Sequence, residues 1–497
     1  MPHIFIKPAA GLLLVLLACA ALFPRPASAS NLPDIGNSSE LLLSPEDERR
    51  LGREFMRQVR AALKLQDDMF SNEYLQALGE KLASQVDTRD QTFTFFIVDD
   101  PTINAFAGPA RYPSGSIGVH TGLILAVRNE GELSSVIAHE IAHVLQQHYL
   151  RTLSASQNLS MATIGAMIAA ILLGSQAGGQ AGEAVIASTL GGAYQQQLSY
   201  SRAHEQEADR VGIEMLASAG YNPNDMANFF ETLLKASKFS QHSIPEFLLT
   251  HPVTSSRIAD TRGRAASYLL APAKRPPDEQ PTAFDLVKTR LTVLSTKDEQ
   301  QKSLIIEFEK THKQNEKVNP LQRYEMALRY HQQRNYSKAK QLLRSLLDAE
   351  PQRLAYILAS AENEIDAKNY REAIALLQSA ILIYPDNLAL TTLYAEASLF
   401  NGDASTAIHI LENQIRSGRY KPETFKLLAN AAQKAGRNSE AYEALGNYYK
   451  ALGEFNTAIN HFEEALKETG NNQFRELRLK AVIKQIKGEL ASYRTTQ

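Results

Sequence analysis

Residues 139–143 read His-Glu-Ile-Ala-His, within a stretch from 130 to 150 whose apolar residues recur at helical spacing. On a helix, His139 and His143 are one turn apart, so they stand on one face and can bind the same zinc ion. Glu140 lies one residue along, where its carboxylate can reach a water molecule on that metal. The pentapeptide therefore predicts a zinc site with hydrolytic chemistry.

A third ligand has to come from elsewhere in the chain, because the longer motif that supplies a third histidine would need it at position 149, which is Tyr149. Residues 201–209, Ser-Arg-Ala-His-Glu-Gln-Glu-Ala-Asp, place Glu205 and Asp209 four residues apart and so on one helical face. Glu205 is the expected ligand, and Asp209 is expected to accept the free ring N–H of a ligand histidine. The alternative ligands, on other faces of this helix, are Glu207 and His204.

The C-terminal third of the chain repeats with a period of 34 residues. Alanines mark the interval at Ala339, Ala373, Ala407 and Ala441. This is the tetratricopeptide period, in which helix pairs stack and a small residue lets them approach closely. A second copy of the pattern, which includes Gly446 and Ala458, lies half a repeat out of phase, so the framing of the repeats stays open. Such a solenoid typically offers a groove to partner proteins.

Composition and charge narrow the class of protein. The 497 residues, 44% hydrophobic and 21% charged, suffice for about three packed domains. A net charge of −2 gives no electrostatic support for a nucleic-acid partner. Cys19 is the single cysteine, which excludes a disulfide framework.

The N-terminus has the pattern of an export signal. Lys7 is followed by a short apolar stretch over residues 11–23 and by the small residues Ala27-Ser28-Ala29. We expect export from a bacterial cytoplasm with cleavage after Ala29. The alternative is a lipoprotein that carries its lipid on Cys19.

The two metal-site motifs together resemble the zinc metallopeptidase family of the prenyl-protein (CAAX) endoproteases and the heat-shock membrane proteases. In that family H-E-x-x-H is followed by S-R-x-x-E-x-x-A-D, which residues 201–209 match. Further matches are Asn104-Ala105-Phe106-Ala107, Thr121-Gly122-Leu123-Ile124, and Thr250-His251-Pro252 with Arg257. The chain departs from the family at residues 108–111, Gly-Pro-Ala-Arg, where L-P-G-G is more usual.

The resemblance implies a zinc metalloendopeptidase with one Zn²⁺ per chain. It implies as ligands His139, His143 and Glu205, as general base Glu140, and as orienter of a ligand histidine Asp209. It also implies that His251 lies over the metal as a fourth ligand that keeps the protease latent; the alternative is a role in stabilising the tetrahedral intermediate. An edge strand beside the cleft, where an extended peptide can add by main-chain pairing, is expected to contain Asn104, Ala105, Phe106 and Ala107.

An export signal, no transmembrane helix and a repeat array indicate a periplasmic branch of this family. The resemblance implies that unfolded or misassembled outer-membrane β-barrel proteins are the substrates, that the barrel-assembly machinery is the partner of the repeats, and that chaperone-like activity accompanies proteolysis. Peripheral contact with a membrane is compatible with this interpretation. The alternative is a repeat-based adaptor of that machinery whose protease is latent.

The predicted fold class is α+β: a mostly helical zincin metalloprotease domain with a small sheet, followed by an all-α tetratricopeptide-repeat solenoid. The predicted boundaries are a signal peptide at 1–29, the protease domain at 30–271, a linker and connecting helix at 272–316, and the repeats at 317–497. β-branched and aromatic residues predict strands at 92–98 and 116–120. Residues 161–173 are interpreted as either a packed helical hairpin or a lid or membrane-surface element.

Overall fold

The computed structural model describes residues 44–88, 91–154, 202–239, 245–268, 280–311 and 318–494. The predicted signal peptide with Cys19, and the segment at 161–173, lie outside the described residues. Within the described ranges, a small sheet surrounded by helices precedes a long series of helical pairs, which confirms the predicted fold class. Among the helices of these ranges, none combines the length and the apolar composition needed to cross a bilayer.

The N-terminal part contains three strands and nine helices in the described ranges. In chain order they are α1 (Pro45–Ala62), α2 (Met69–Ala83), β1 (Phe93–Val98), β2 (Ala105–Ala107), β3 (Gly115–His120), α3 (Thr121–Ala126), α4 (Glu130–Leu145), α5 (His148–Ser154), α6 (Arg202–Ser218), α7 (Asn224–Phe239), α8 (Glu246–Thr250) and α9 (Ser255–Ala265). Both predicted strands are present, as β1 and β3.

Helix α4 forms the centre of this part. It begins after Asn129, whose side chain accepts a hydrogen bond from the N–H of Glu132 at 2.8 Å and so caps the helix. All residues from 131 to 144 are buried, so the helix is covered on every face. Functional side chains on this helix are therefore held in the interior rather than on a solvated surface.

The strands are ordered β1–β3–β2, with β1 parallel and β2 antiparallel to β3. Central strand β3 is buried along its whole length. The chain turns from β3 into α3 at Gly122, where a Cβ atom would lie 2.1 Å from the carbonyl oxygen of Pro101. Only glycine fits there, which gives the Thr121-Gly122 motif a structural reason.

The outer edge of β1 is covered by side chains from helix α2. The N–H of Phe95 donates to Oε1 of Gln76 at 2.9 Å, and the N–H of Ile97 donates to Oδ1 of Asn72 at 3.2 Å. Two amide side chains thus take the place that another strand would occupy on this side of the sheet.

Strand β2 lies at the opposite edge. On either side of it, Gly108 donates a backbone hydrogen bond to β3 and Asn104 accepts one from β3, at 2.6 and 2.9 Å. Because bonded and non-bonded positions alternate in an antiparallel pair, the peptide groups of Ala105 and Ala107 point away from β3. They face outward, toward the side on which an added strand would pair.

The C-terminal part is entirely helical within the described ranges. Its helices are α10 (Ala283–Ser295), α11 (Asp298–Thr311), α12 (Pro320–Gln332), α13 (Tyr336–Ala349), α14 (Leu354–Asp366), α15 (Tyr370–Ile381), α16 (Leu388–Phe400), α17 (Ala404–Arg416), α18 (Pro422–Lys434), α19 (Asn438–Leu452), α20 (Phe455–Lys467) and α21 (Gln473–Arg494).

The predicted period is visible in the starting positions of these helices. Pro320, Leu354, Leu388 and Pro422 each begin the first helix of a pair, 34 residues apart. The alanine ladder lies on the second helix of each pair and is buried throughout. The pattern that is half a repeat out of phase marks the packing of α19 on α20, where a Cβ on Gly446 would lie 2.6 Å from the ring of Phe462. Helix α19 therefore serves both registers, as the second helix of one pair and the first of the next.

The repeats pack directly against the N-terminal part. Helix α10, in the range predicted as a linker and connecting helix, contributes Phe284, Leu286, Val287, Leu291 and Val293 to one core that continues from the sheet into the repeats. Arg290 on the same helix donates from Nε to Oδ1 of Asp68 at 2.6 Å and from an amino group to Glu362 at 2.7 Å. Arg290 thus connects the start of α2 to the third helix of the repeat region, α14.

Replacing Arg290 with methionine is expected to lower the free energy of unfolding by about 3–5 kcal/mol, because it leaves the buried carboxylate of Asp68 without its counter-charge. Urea unfolding followed by circular dichroism measures the change. The matched control is Arg264→Met, which breaks the solvent-exposed pair with Asp260 and should change stability by less than about 1 kcal/mol. Equal effects of the two substitutions would contradict the connecting role of Arg290.

Candidate metal centre

The predicted metal ligands meet where α4, α6 and the end of α8 converge. His139 and His143 lie on α4, Glu205 lies in the first turn of α6, and His251 directly follows α8. Each of the four side chains is buried, and one potential ligand atom from each lies within 4.8 Å of the others. The fold thus brings a histidine from a distant loop to the motif residues.

The donor atoms face one another at short distances. The Nε2 atoms of His139 and His143 are 2.9 Å apart, and Nε2 of His143 is 3.4 Å from Oε1 of Glu205. The Nδ1 atom of His251 lies 3.1 Å from the same Glu205 oxygen and 3.4 Å from Nε2 of His139. Facing lone pairs repel unless a cation or proton is shared between them. Imidazole nitrogen with carboxylate oxygen is a donor set that zinc takes in four-coordinate sites, so these residues fit the ion.

The electrostatics of the cluster favour positive charge. Burial acts to raise the pKa of Glu205, but His251 and a hydrogen bond with His139 outweigh it and hold this pKa well below its usual value. Burial acts to lower the pKa of His139, yet the carboxylates of Asp209 and Glu205 raise it to about 9. Burial, assisted by the neighbouring His139, lowers the pKa of His143 well below its ordinary value. The pocket therefore combines an ionised Glu205 with a neutral His143, while the two carboxylates favour a positive charge at His139, which a proton or a bound metal ion can supply.

Asp209 and Arg257 fix the orientation of His139. The Nδ1 atom of His139 is 3.0 Å from Oδ1 of Asp209. Arg257 binds both oxygens of that carboxylate, at 2.8 and 2.7 Å, and also lies 2.7 Å from Oε2 of Glu205. The structure thus places Asp209 where the predicted orienter should lie. It also shows that Arg257 contacts the carboxylates of both Asp209 and Glu205. The sequence indicated Arg257 only as a position of the family motif.

Glu140 lies beside the four donors without being one of them. Its carboxylate is fully buried, and Oε1 is 3.4 Å from Nε2 of His251. Neither carboxylate oxygen has a donor at hydrogen-bonding distance and angle among the described residues. Burial raises the pKa of Glu140, whereas His251, His139 and the backbone of Ala107 favour the ionised form. Strand β2 therefore approaches the carboxylate that the sequence predicts as general base.

The alternative ligands Glu207 and His204 lie outside the cluster of four donors. Oε2 of Glu207 is 3.2 Å from Nε2 of His148 and 3.1 Å from Arg151. The ring of His204 stacks on that of His148, with centroids 4.4 Å apart. Within the described ranges, Glu207 therefore contacts His148 and not the histidines of the donor cluster.

His148 is the site residue that sequence reasoning missed. It is fully buried, and its Nδ1 atom is 2.8 Å from Nδ1 of His143. A spacing of five residues does not place two side chains on one helical face. The pair meets because α4 ends and Gln147 adopts a left-handed conformation with φ of 51°, after which α5 starts at His148. No pattern in the sequence around Gln147 predicts that turn.

The predicted substrate-strand residues lie on or next to β2. Asn104 precedes the strand and is buried, Ala105 is fully buried, and Phe106 packs edge-on against His120 with centroids 6.0 Å apart. Beyond the strand, the segment that departs from the family pattern is anchored by Arg111, whose N–H donates to Oε1 of buried Glu48 at 2.7 Å. The side chain of Arg111 adds an ion pair with α1, since its Nε lies 3.2 Å from Oε1 of Glu48.

Family models match both parts of the chain. The model of peptidase family M48 matches residues 70–265, a range that contains all four donors, Glu140 and Asp209. Tetratricopeptide-repeat models match residues 364–419 and 439–472. The range 439–472 covers α19 and α20 as one repeat, in agreement with the role of α19 as the first helix of a pair.

Curated relatives match along most of the chain. A beta-barrel assembly-enhancing protease of Yersinia pestis is 31% identical over 414 residues, 83% of this chain and 82% of the relative. The protein of that name in Escherichia coli K12 is 31% identical over 424 residues, 85% of this chain and 84% of the relative. The mitochondrial metalloendopeptidase OMA1 of Arabidopsis thaliana is 29% identical over 177 residues, 36% of this chain and 30% of the relative.

Proposed function

The chain belongs to peptidase family M48 and is a metalloendopeptidase, and we propose that it is a zinc-dependent endopeptidase of the periplasm that acts in outer-membrane protein assembly. The observation that carries the proposal is the buried cluster of His139, His143 and Glu205 with Glu140 beside it. Three protein ligands with a nearby glutamate are typical of the H-E-x-x-H metalloproteases, whereas a purely structural zinc site has no use for Glu140.

In this proposal His139, His143 and Glu205 hold one zinc ion per chain. When bound, zinc supplies Lewis acidity toward a peptide carbonyl and lowers the pKa of water. Asp209 keeps His139 in the tautomer that leaves Nε2 available, since its carboxylate lies 3.0 Å from Nδ1 and favours a proton on that nitrogen. Arg257 stabilises the ionised forms of both Asp209 and Glu205.

Glu140 moves the proton. Its ionised carboxylate takes a proton from the attacking water and delivers it to the amide nitrogen of the leaving strand. Burial supports this role, because a desolvated carboxylate is a stronger base than one in water. Among the described residues, His251 and the backbone of Ala107 approach this carboxylate, and neither makes a well-aligned hydrogen bond that would hold it away from water.

His251 is proposed as a fourth ligand that keeps the protease latent. Its ring nitrogens lie close to Glu205 on one side and Glu140 on the other, so it stands where a substrate or water would enter the site. The alternative, stabilisation of the tetrahedral intermediate, needs the same residue to turn toward the substrate oxygen. Substitution of His251 by alanine separates the two roles, because it raises activity in the first and abolishes it in the second.

Substrate is proposed to bind as an added strand along β2. The outward peptide groups of Ala105 and Ala107 can pair with an extended chain, and Ala107 lies next to Glu140. Asn104 is buried before the strand, and the half-buried ring of Phe106 packs on Phe55, Phe96 and His120. Unfolded or misassembled outer-membrane β-barrel proteins fit this mode because their strands lack partners.

The relatives named beta-barrel assembly-enhancing protease support a role in barrel assembly. We propose that the repeats bind the barrel-assembly machinery and give the chain a chaperone-like activity, and that an N-terminal signal peptide cleaved after Ala29 directs it to the periplasm. The second candidate is an adaptor whose protease is rarely used. It is favoured by the extent of the solenoid, which spans ten helices from α12 to α21 in the described range.

Elemental analysis of the purified protein tests the metal site. Wild type is expected to contain one zinc per chain, and Glu205→Ala is expected to lose the metal on dialysis because it removes the charged ligand. The matched control is Glu214→Ala, an exposed glutamate on the same helix, which should keep full zinc. Full zinc in dialysed Glu205→Ala would remove this residue from the ligand set.

A further inference from the structure

The second ligand histidine of α4 has its own chain of contacts, separate from the Asp209 arm that orients His139. From His143 the chain runs through Nδ1 of His148, at 2.8 Å, and from Nε2 of His148 to Oε2 of Glu207, at 3.2 Å. Arg151 holds the far end of the chain at 3.1 Å from the same glutamate oxygen. His148 has no exposed surface, so water does not compete for its ring nitrogens.

The direction of each hydrogen bond follows from the metal side. Nε2 of His143 points into the donor cluster, so its proton resides on Nδ1 and is donated to Nδ1 of His148. His148 accepts there and carries its own proton on Nε2, which donates to the carboxylate of Glu207. This arrangement of protons satisfies both of these hydrogen bonds.

The arrangement parallels the one around His139. There a carboxylate, Asp209, accepts directly from the ligand ring and is held by an arginine, Arg257. Around His143 the carboxylate of Glu207 is again held by an arginine, Arg151. Here, however, the imidazole of His148 is inserted between Glu207 and the ligand histidine. Both histidines of the pentapeptide therefore have an acceptor that leaves Nε2 free to bind a metal.

We propose that His148 and Glu207 form a positioning relay that fixes the tautomer and ring orientation of His143 and thereby sets the affinity of the metal site. This inference rests on the proposed function, since it assumes that His143 is a ligand. It assigns to Glu207 a role different from direct ligation. His148 is a positioning residue that acts only through His143.

Competition between the full mature protein and a chromogenic chelator for zinc tests the relay. His148→Ala is expected to weaken zinc binding about 10- to 100-fold, the usual effect of removing a hydrogen-bond partner of a metal ligand. His148→Asn should recover most of the affinity, because its amide oxygen can accept from Nδ1 of His143. Glu207→Gln, which keeps the shape of the side chain, should also weaken zinc binding, but by a smaller factor. It replaces His148→Ala as the test of the relay if that variant does not fold.

The control for lost packing is His204→Ala, which removes the ring stacked on His148 and leaves the relay intact. It should bind zinc nearly as tightly as wild type. Wild-type affinity in a folded His148→Ala, or equal losses in His148→Ala and His148→Asn, would overturn the relay. Failure of the underlying metal site is distinguishable, because His139→Ala would then also retain zinc.

Discussion

Glu140→Gln is expected to abolish cleavage of an unfolded substrate such as casein while the protein keeps its zinc. Glutamine has nearly the shape of glutamate but cannot take a proton from water, and loss of a general base lowers the catalytic rate about 10²- to 10⁴-fold. Because Glu140 is not one of the four donors, the metal content should not change. Initial cleavage rates and elemental analysis of the same preparation measure both quantities.

The matched control for this substitution is Glu214→Gln, which changes an exposed glutamate on α6 and should cleave casein at the wild-type rate. A zinc-loaded Glu140→Gln that is as active as wild type would contradict the general-base assignment.

The same variant separates the two candidate functions in cells. In cells that lack the wild-type protein, Glu140→Gln would still restore outer-membrane assembly if the protein acts as an adaptor. It would not do so if the protein acts as a protease. A pull-down from envelope extract with the inactive protein should then recover substrates and partners together.

His251→Ala is expected to increase basal casein cleavage about 5- to 150-fold, which corresponds to removing a displacement cost of about 1–3 kcal/mol. A catalytic zinc site needs one exchangeable position, and a latent state in which His251 fills it forces substrate to displace an imidazole first. The short distances from His251 to Glu205 and Glu140 support that placement. Self-cleavage during storage should rise with the casein rate.

Zinc content has to be measured alongside, since a variant that has lost the metal cannot report on latency. His409→Ala, on an exposed face of α17, controls for the general effect of removing a histidine. A zinc-loaded but inactive His251→Ala would assign this residue to stabilisation of the tetrahedral intermediate instead.

Much of the site could be predicted because its residues follow helical spacing. His139 and His143 are four residues apart on α4, and Glu205 and Asp209 are four apart on α6, so each pair shares a face in any fold that keeps the helices. The 34-residue repeat period could be predicted equally well, because it depends on local spacing alone. His251 could be connected to the metal only through family resemblance, because its approach depends on how α8 packs.

Other features could not be predicted because they depend on tertiary contacts between distant segments. His148 reaches His143 through a left-handed residue at Gln147, a conformation that non-glycine residues seldom adopt. Arg290 meets Asp68 across 222 residues of sequence, and nothing near either residue indicates its partner. Buried charged pairs of this kind are determined by the packing of whole elements, in this instance α10 between the sheet-containing part and the repeats.

The amide side chains that cover β1 limit how this protein can associate with itself. Head-to-tail fibres grow through a sheet only if both of its edges accept a strand, since each copy must offer one edge and receive at the other. Asn72 and Gln76 occupy the peptide groups of β1, so β2 of a second copy has no edge to join there. Strand pairing at this sheet is therefore confined to the β2 edge, and copies of the chain cannot add to one another in an open series through it.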